Sequence, residues 1–281
     1  MESRIKREHK VPFFFYNRFL AKNSVFWYNK KEVEVSVMQR YFVDKNNINL
    51  PYIYITGDDC HHILNVMRMK IGEMVYISDR ETSYKAVIQQ MEKERITLIV
   101  EQELDEQKEL PRNITIAHGL VSREKKEETI QKITQLGAVA YIPVLMKKSV
   151  VKLNKEKEEK QTERLQKIAK EASEQSHRIK ELKVNLPITF NELLKLEKNY
   201  DICLYASTVL DPKDESFKQI IRNSKYTNIL VLVGPEAGID ESEINKLTNW
   251  TPITLGPRIL RTEVAPLYIM SAISYELELG E

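Results

Sequence analysis

Residues 229–240 read Ile229-Leu230-Val231-Leu232-Val233-Gly234-Pro235-Glu236-Ala237-Gly238-Ile239-Asp240. Five consecutive apolar residues cut off by Gly-Pro predict a strand that runs into a tight loop. Asp240 and Glu243 then have the spacing of a capping box, with Asp in the Ser/Thr place, so a helix is expected from Glu241. Working outward from this unit, the same alternation recurs. Strands are predicted near Ile114–Ala117, Val139–Val144, Ile202–Ala206 and Ile253–Leu255. Helices are predicted near Glu124–Leu136, Glu158–Arg178, Phe190–Leu196, Glu215–Arg222, Glu241–Leu247 and Ala265–Leu279. Leu165, Ile168, Ala169 and Ala172 make an apolar helical stripe. Thr189 with Glu192 offers a second capping box, and Gly137 stands where a helix should end. Alternation of this kind from Pro111 onward implies a mostly parallel α/β sheet.

Upstream the rhythm is different. Between Met38 and Leu110 short β-rich runs follow one another: Tyr41–Val43, Tyr52–Ile55, Met74–Ser78, Tyr84–Ile88 and Arg95–Val100. One helix interrupts them, with Asp58 or Asp59 as its cap and Ile63, Val66 and Met67 on one face. Five or so short strands around one helix suggest a small β-barrel over 38–110. The charged stretch Glu101–Glu109, closed by Pro111, reads as the linker to a second domain over 111–281. Residues 1–37 fit neither domain and read as an N-terminal extension. They lack the long apolar stretch and small-residue cleavage site of a signal peptide.

Composition narrows the function. The 281 residues are 42% hydrophobic and 30% charged, which excludes intrinsic disorder. Two cysteines cannot build a disulfide framework or a four-ligand zinc site, and they point to a reducing cytoplasm. No run approaches the roughly 20 apolar residues of a membrane helix. The net charge of +2 is unevenly spread: residues 111–180 carry 16 Lys/Arg against 9 Asp/Glu, whereas residues 38–110 carry 9 against 13. The basic stretch Lys147–Lys180 has two readings. It is a phosphate-contacting stripe, or a solvated helix face on which Glu156, Glu158, Glu159 and Glu163 pair with lysines.

In an open parallel sheet, ligands bind at the loops leaving the carboxyl ends of the strands. Two such loops are rich in chemistry. One is Gly234-Pro235-Glu236-Ala237-Gly238. The other is Gly256-Pro257-Arg258-Ile259-Leu260-Arg261-Thr262-Glu263, where two guanidiniums stand beside a carboxylate. Neither Gly-x-Gly-x-x-Gly nor a phosphate loop is present, so nicotinamide chemistry and nucleotide hydrolysis lose their usual support. A Gly-x-Ser-x-Gly nucleophile is also absent. The five histidines, including His118 and the pair His61-His62, have no metal-ligand spacing, and no metal is expected. Arg258, Arg261 and Glu263 have a structural reading too, as a salt bridge near a helix start.

The chain resembles the RsmE family of ribosomal RNA methyltransferases. The resemblance rests on Met38–Val43, His62–Arg68, Lys132–Gly137, Ser149–Lys152, Glu171–Arg178 and above all the two loops, Gly234-Pro235-Glu236-x-Gly238 and Leu255-Gly256-x-Arg258-Ile259-Leu260-Arg261-Thr262-Glu263-x-Ala265. Ala237, Val264 and Lys148 depart from the family pattern, and no Val-Pro follows Arg178. The resemblance implies a PUA-like barrel followed by a SPOUT methyltransferase domain with a trefoil knot, the named exception to ordinary connection rules. It also implies a homodimer that uses S-adenosyl-L-methionine to methylate N3 of a specific uridine in 16S ribosomal RNA of the small subunit.

On this reading Gly234, Pro235, Glu236, Gly238, Leu255, Gly256, Ile259 and Leu260 bind the cofactor, and Arg178, Arg258, Arg261 and Glu263 form the reaction centre. Uracil N3 must lose a proton, which suits a carboxylate. The flanking carbonyl oxygens gain charge, which suits a guanidinium. RNA is expected on Arg40, Arg68 and Lys70 of the barrel and on Lys147, Lys148 and Lys152. Two alternatives stand beside this one: a non-catalytic RNA-binding or ribosome-assembly protein on the same fold, and a transfer-RNA methyltransferase of the same superfamily.

Overall fold

The computed structural model describes residues 38–150, 155–208, 216–223 and 225–279. Residues 38–279 are organised around two sheets. The first takes its strands from the N-terminal part: β1 (Arg40–Phe42), β2 (Ile48–Asn49), β3 (Tyr52–Thr56), β4 (Met74–Ser78), β5 (Ser83–Met91) and β6 (Arg95–Leu104). Their order is β1-β4-β5-β6-β3-β2, with only β1–β4 parallel. Alternation along β3 sends Ile53 and Ile55 inward, and Ile77, Ile88, Ile96 and Leu98 meet them in one core. The sheet is six-stranded and half-closed, since its outer strands β1 and β2 do not pair.

The helix of this part, α1 (Gly57–His61), continues as one wide turn through Met67. Thr56 precedes it, so Asp58 and Asp59 lie inside its first turn and cap nothing. Ile63 is buried, but Val66 and Met67 face solvent, a correction to the face predicted for this helix. The expected linker also starts later, because β6 runs on to Leu104 through Glu101 and Glu103.

The second sheet is wholly parallel. It comprises β7 (Asn113–Gly119), β8 (Ala140–Leu145), β9 (Lys183–Val184), β10 (Ile188–Thr189), β11 (Ile202–Ala206), β12 (Asn228–Val233) and β13 (Thr251–Ile253). The main order is β10-β8-β7-β12-β11-β13, and β9 also lies along β8. Among the described residues the helices that follow α1 are α2 (Arg123–Gln135), α3 (Lys155–Gln175), α4 (Phe190–Leu196), α5 (Phe217–Arg222), α6 (Glu241–Ile244) and α7 (Val264–Ser274). β12 is buried on both faces: Ile229, Val231 and Val233 join one core with Ile130, Leu165 and Ile269, while Leu230 and Leu232 join another with Phe190 and Trp250. That explains its unbroken apolar run. The capping boxes at Thr189 and Asp240 form, as does one at Ser216.

Differences from the predicted elements have local causes. α3 stops at Gln175 because His177 adopts a left-handed conformation, φ 56°. The two-residue strands β9 and β10 are too short to leave a pattern. They are separated where β8 presents Pro143, which has no N–H to give that edge: its neighbours Tyr141 and Leu145 are the residues paired there.

The first sheet is fastened to α3 and the segment after it. Asp59 pairs with Lys170 at 2.6 Å, Asp58 with Lys167 at 2.9 Å, and Arg80 with Glu181 at 2.6 Å. Glu174 accepts from the Phe42 amide, and burial lifts its carboxyl to about 7 despite Lys170 beside it. Glu109 binds Arg178 and the amides of Ile179 and Lys180.

From the edge strand β13 the chain returns across the carboxyl ends of the sheet to pack α7 on α2. This crossing, expected of the knotted class, is pinned by a buried polar line. The Thr262 hydroxyl donates to Gly234 O at 2.7 Å and accepts from His118 Nε2 at 2.8 Å. His118 Nδ1, 3.0 Å from the Tyr141 hydroxyl, is then the acceptor for that O–H. His118 is fully buried, which pushes its pKa down to about 4.

An unfolded histidine titrates near 6.5, so between about pH 6.5 and 4 the unfolded chain holds a proton that the folded chain refuses. Stability associated with neutral His118 is present above this window and is lost as pH falls through it, by about 3 kcal/mol. Urea unfolding of wild type and His118→Gln at pH 7 and 4.5 should show a steeper acid decline for wild type. Parallel declines would show that His118 is not held neutral.

Candidate active site

The loops after β11, β12 and β13 enclose a cavity of about 670 Å³ at the carboxyl edge of the second sheet. A volume of this size suits a small organic ligand. Gly234, Pro235, Glu236 and Gly238 supply one wall; Leu255, Gly256, Ile259 and Leu260 supply the facing one. Gly256 has φ +94°, a conformation side chains resist, and an added Cβ there would meet nothing within 4 Å. Gly119, at the end of β7, is needed for the opposite reason: a Cβ would lie 2.4 Å from the Pro235 nitrogen. The loop after β12 can therefore lie flat on the strand end. Among the described residues, the amides of Arg258, Ile259 and Leu260 donate to no other group.

Charge converges on the same cavity. Arg258 and Arg261 line it, are exposed, and form no ion pair with any described residue. Glu263, largely buried, immediately precedes α7. Its Oε2 is buried, accepts no hydrogen bond, and has the Lys125 ammonium 3.5 Å away. Lys125 also bonds Glu236 at 3.1 Å, which raises the lysine pKa. Of the four residues assigned to a reaction centre, three meet here.

Arg178 does not. It is buried beneath the junction of the two sheets, where Nη1 donates to Thr134 O and Ala138 O, and Nε and Nη2 bind Glu109. Its donors close the end of α2 and anchor the linker. Arg40 is likewise corrected: it is buried, tied to Ser83 and Glu106, and cannot face a phosphate. Arg68 and Lys70 are exposed beside Val66 and Ile71. Lys147 is exposed and paired with Asp240, and Lys148 reaches Ile239 O, so both brace the loop after β12. Lys152 lies outside the described residues.

Five residues of the site were given no role from the sequence. Ser207 and Thr208 leave the carboxyl end of β11, a position the strand rule alone could have flagged. Lys125 had one signal, a cation in the first turn of a helix, where the dipole disfavours it. His118 and Thr262 had none. Among the described residues no group of three or more His, Cys, Asp or Glu could hold a metal ion, and no helix is long and apolar enough to cross a membrane.

Comparison with known proteins agrees with this architecture. Residues 108–274 match the model of an RNA methyltransferase domain, and residues 55–101 that of an RNA methyltransferase PUA domain. The ribosomal RNA small subunit methyltransferase E of Bacillus subtilis (strain 168) is 41% identical over 251 residues, covering 86% of this chain and 98% of that protein. A crystal structure described only as a hypothetical protein is 40% identical, with a TM-score of 0.80 over 86% of this chain and all of the other. The ribosomal RNA small subunit methyltransferase E of Neisseria gonorrhoeae, solved bound to S-adenosyl methionine, is 28% identical with a TM-score of 0.74, over 84% of this chain and 96% of that one. With matches of this extent to an RNA methyltransferase domain, to its PUA domain and to these relatives, the chain belongs to the ribosomal RNA small subunit methyltransferase E family.

Proposed function

We propose that this protein transfers a methyl group from S-adenosyl-L-methionine to N3 of a uridine in 16S ribosomal RNA of the small subunit, in the cytoplasm and as a homodimer. The observation that carries the reading is the composition of one cavity: free amides on its wall, two unpaired guanidiniums, and a buried carboxylate oxygen that accepts no hydrogen bond. The glycine-lined walls fit the cofactor. Gly234, Pro235, Glu236 and Gly238 would hold it from one side, and Leu255, Gly256, Ile259 and Leu260 from the other, mainly through backbone. When bound, it supplies a methyl group on a sulfonium, whose S–C electron pair leaves with sulfur.

The chain's own groups then have distinct tasks. Arg261, with Arg258 behind it, faces the uracil carbonyls and stabilises the charge that grows on them as N3 loses its proton. Glu263 Oε2 accepts that proton, and the N–H electron pair becomes available for the new N–C bond. Little covalent help is needed, so holding the partners in line dominates the rate. N3 lies on the pairing edge, which requires an unpaired or extruded base. Labelled-cofactor transfer to small ribosomal subunits, with the modified nucleoside identified by mass, tests the whole reading. Arg261→Ala and Glu263→Gln should each lower transfer by about 10²-fold or more. Wild-type rates in both would remove these residues from the reaction. Binding without methyl incorporation would favour the non-catalytic alternative, and label in transfer RNA the other.

RNA docking on the barrel reduces to Arg68 and Lys70, because Arg40 is internal. Arg68→Gln with Lys70→Gln should weaken RNA binding and lower its salt slope by about one per side chain. An unchanged slope would place the electrostatic contact elsewhere.

The dimer is supported by α7 and its continuation. Val264, Tyr268, Tyr275 and Leu279 are exposed apolar residues at helical spacing, the last two 64% and 73% exposed. They make a stripe beside the cavity that a second copy of α7 would cover. Tyr268→Asp should convert the protein to a monomer by sedimentation analysis with its circular dichroism intact; an unaltered dimer would place the interface on another face.

A further inference from the structure

Lys125 stands in the first turn of α2, where a cation opposes the helix dipole and Ser122 provides no side-chain cap. Its Nζ is 3.1 Å from a Glu236 oxygen and 3.5 Å from Glu263 Oε2. The two carboxylates arrive on different loops, one after β12 and one ahead of α7. Placed together at a cavity wall with no cation between them, they would repel.

The other charged groups nearby do not serve. His118 is buried and neutral, and Arg258 and Arg261 line the cavity yet bond neither carboxylate. Arg123, two residues before, is committed to Glu127. The contact with Glu236 is the shorter and hydrogen-bonded one, and Glu263 Oε2 lies 0.4 Å farther from the ammonium, at 3.5 Å against 3.1 Å. That oxygen keeps its lone pairs for another donor.

We infer that Lys125 is a positioning residue for methyl transfer. It links α2 to the loop after β12 through Glu236, and its charge holds the Glu263 carboxylate at the cavity wall, ready for the proton that the acceptor nitrogen releases. The inference rests on the reading of Glu263 as proton acceptor. The bland alternative is a staple that only steadies the fold.

Kinetics of labelled-methyl transfer as a function of pH separate the two. Lys125→Gln should lower kcat at pH 7 about tenfold and move the acid limb of the profile up by about one pH unit, through lost charge stabilisation of the carboxylates. The thermal midpoint should stay near wild type. Lys125→Arg should restore the limb. In a Glu263→Gln background, Lys125→Gln should cost almost nothing further, because the two act as a unit. An unshifted limb, or an equal loss in both backgrounds, overturns the role of Lys125 alone. Wild-type turnover by Glu263→Gln by itself overturns the proton-acceptor reading, a separate result.

Discussion

The line from Tyr141 through His118 and Thr262 to Gly234 joins segments more than a hundred residues apart in sequence, and its three side chains are buried. Each ring nitrogen along it is used once, the Thr262 hydroxyl both accepts and donates, and the donors all run in one direction. Such a line is worth most when complete, since deleting a member strands its neighbours in a low-dielectric interior. Its position matters as much as its strength. Thr262 immediately precedes Glu263, and Gly234 opens the facing loop, so the same bonds that hold the chain crossing set the width of the cavity. Loops free to drift would bring neither the amides nor the carboxylate to a fixed place.

Much of this was legible in the sequence, for reasons that can be named. β12 announced itself because both its faces are covered, leaving no polar residue in the run. The capping boxes at Thr189 and Asp240 formed because each carries its own hydrogen-bond logic within four residues. The cavity walls were readable from glycine, guanidinium and carboxylate in two short loops at strand ends. Arg178 was not. Whether an arginine ends in a cavity or under a glutamate sixty-nine residues away depends on tertiary placement, which no local spacing encodes. The same holds for His118, whose partners come from β8 and from the segment before α7. The face of the short helix after β3 was misjudged because it widens after His61, which turns Val66 and Met67 outward.

The basic helix shows how charge pattern can mislead. Read alone, α3 offers a row of cations to a polyanion. In the folded chain Arg164 answers Glu127, Lys167 answers Asp58 and Lys170 answers Asp59. Two of these cations of α3 are therefore taken up by carboxylates of α1 and a third by a carboxylate of α2. Exposed pairs of this kind contribute little each and weaken with salt. The buried pair of Arg178 with Glu109 is screened far less, and it secures the place where the chain passes from one sheet to the other.

The interruption of the outer ladder at Pro143 carries a consequence for how copies of this protein meet. A seven-stranded parallel sheet with a long bare margin would template the addition of further strands and so seed aggregates. Here one margin holds two dipeptide strands separated around a missing donor, and the other holds three residues with Pro252 at the centre. Neither margin can zip to a neighbour. Strand addition at either edge of this sheet is thereby disfavoured.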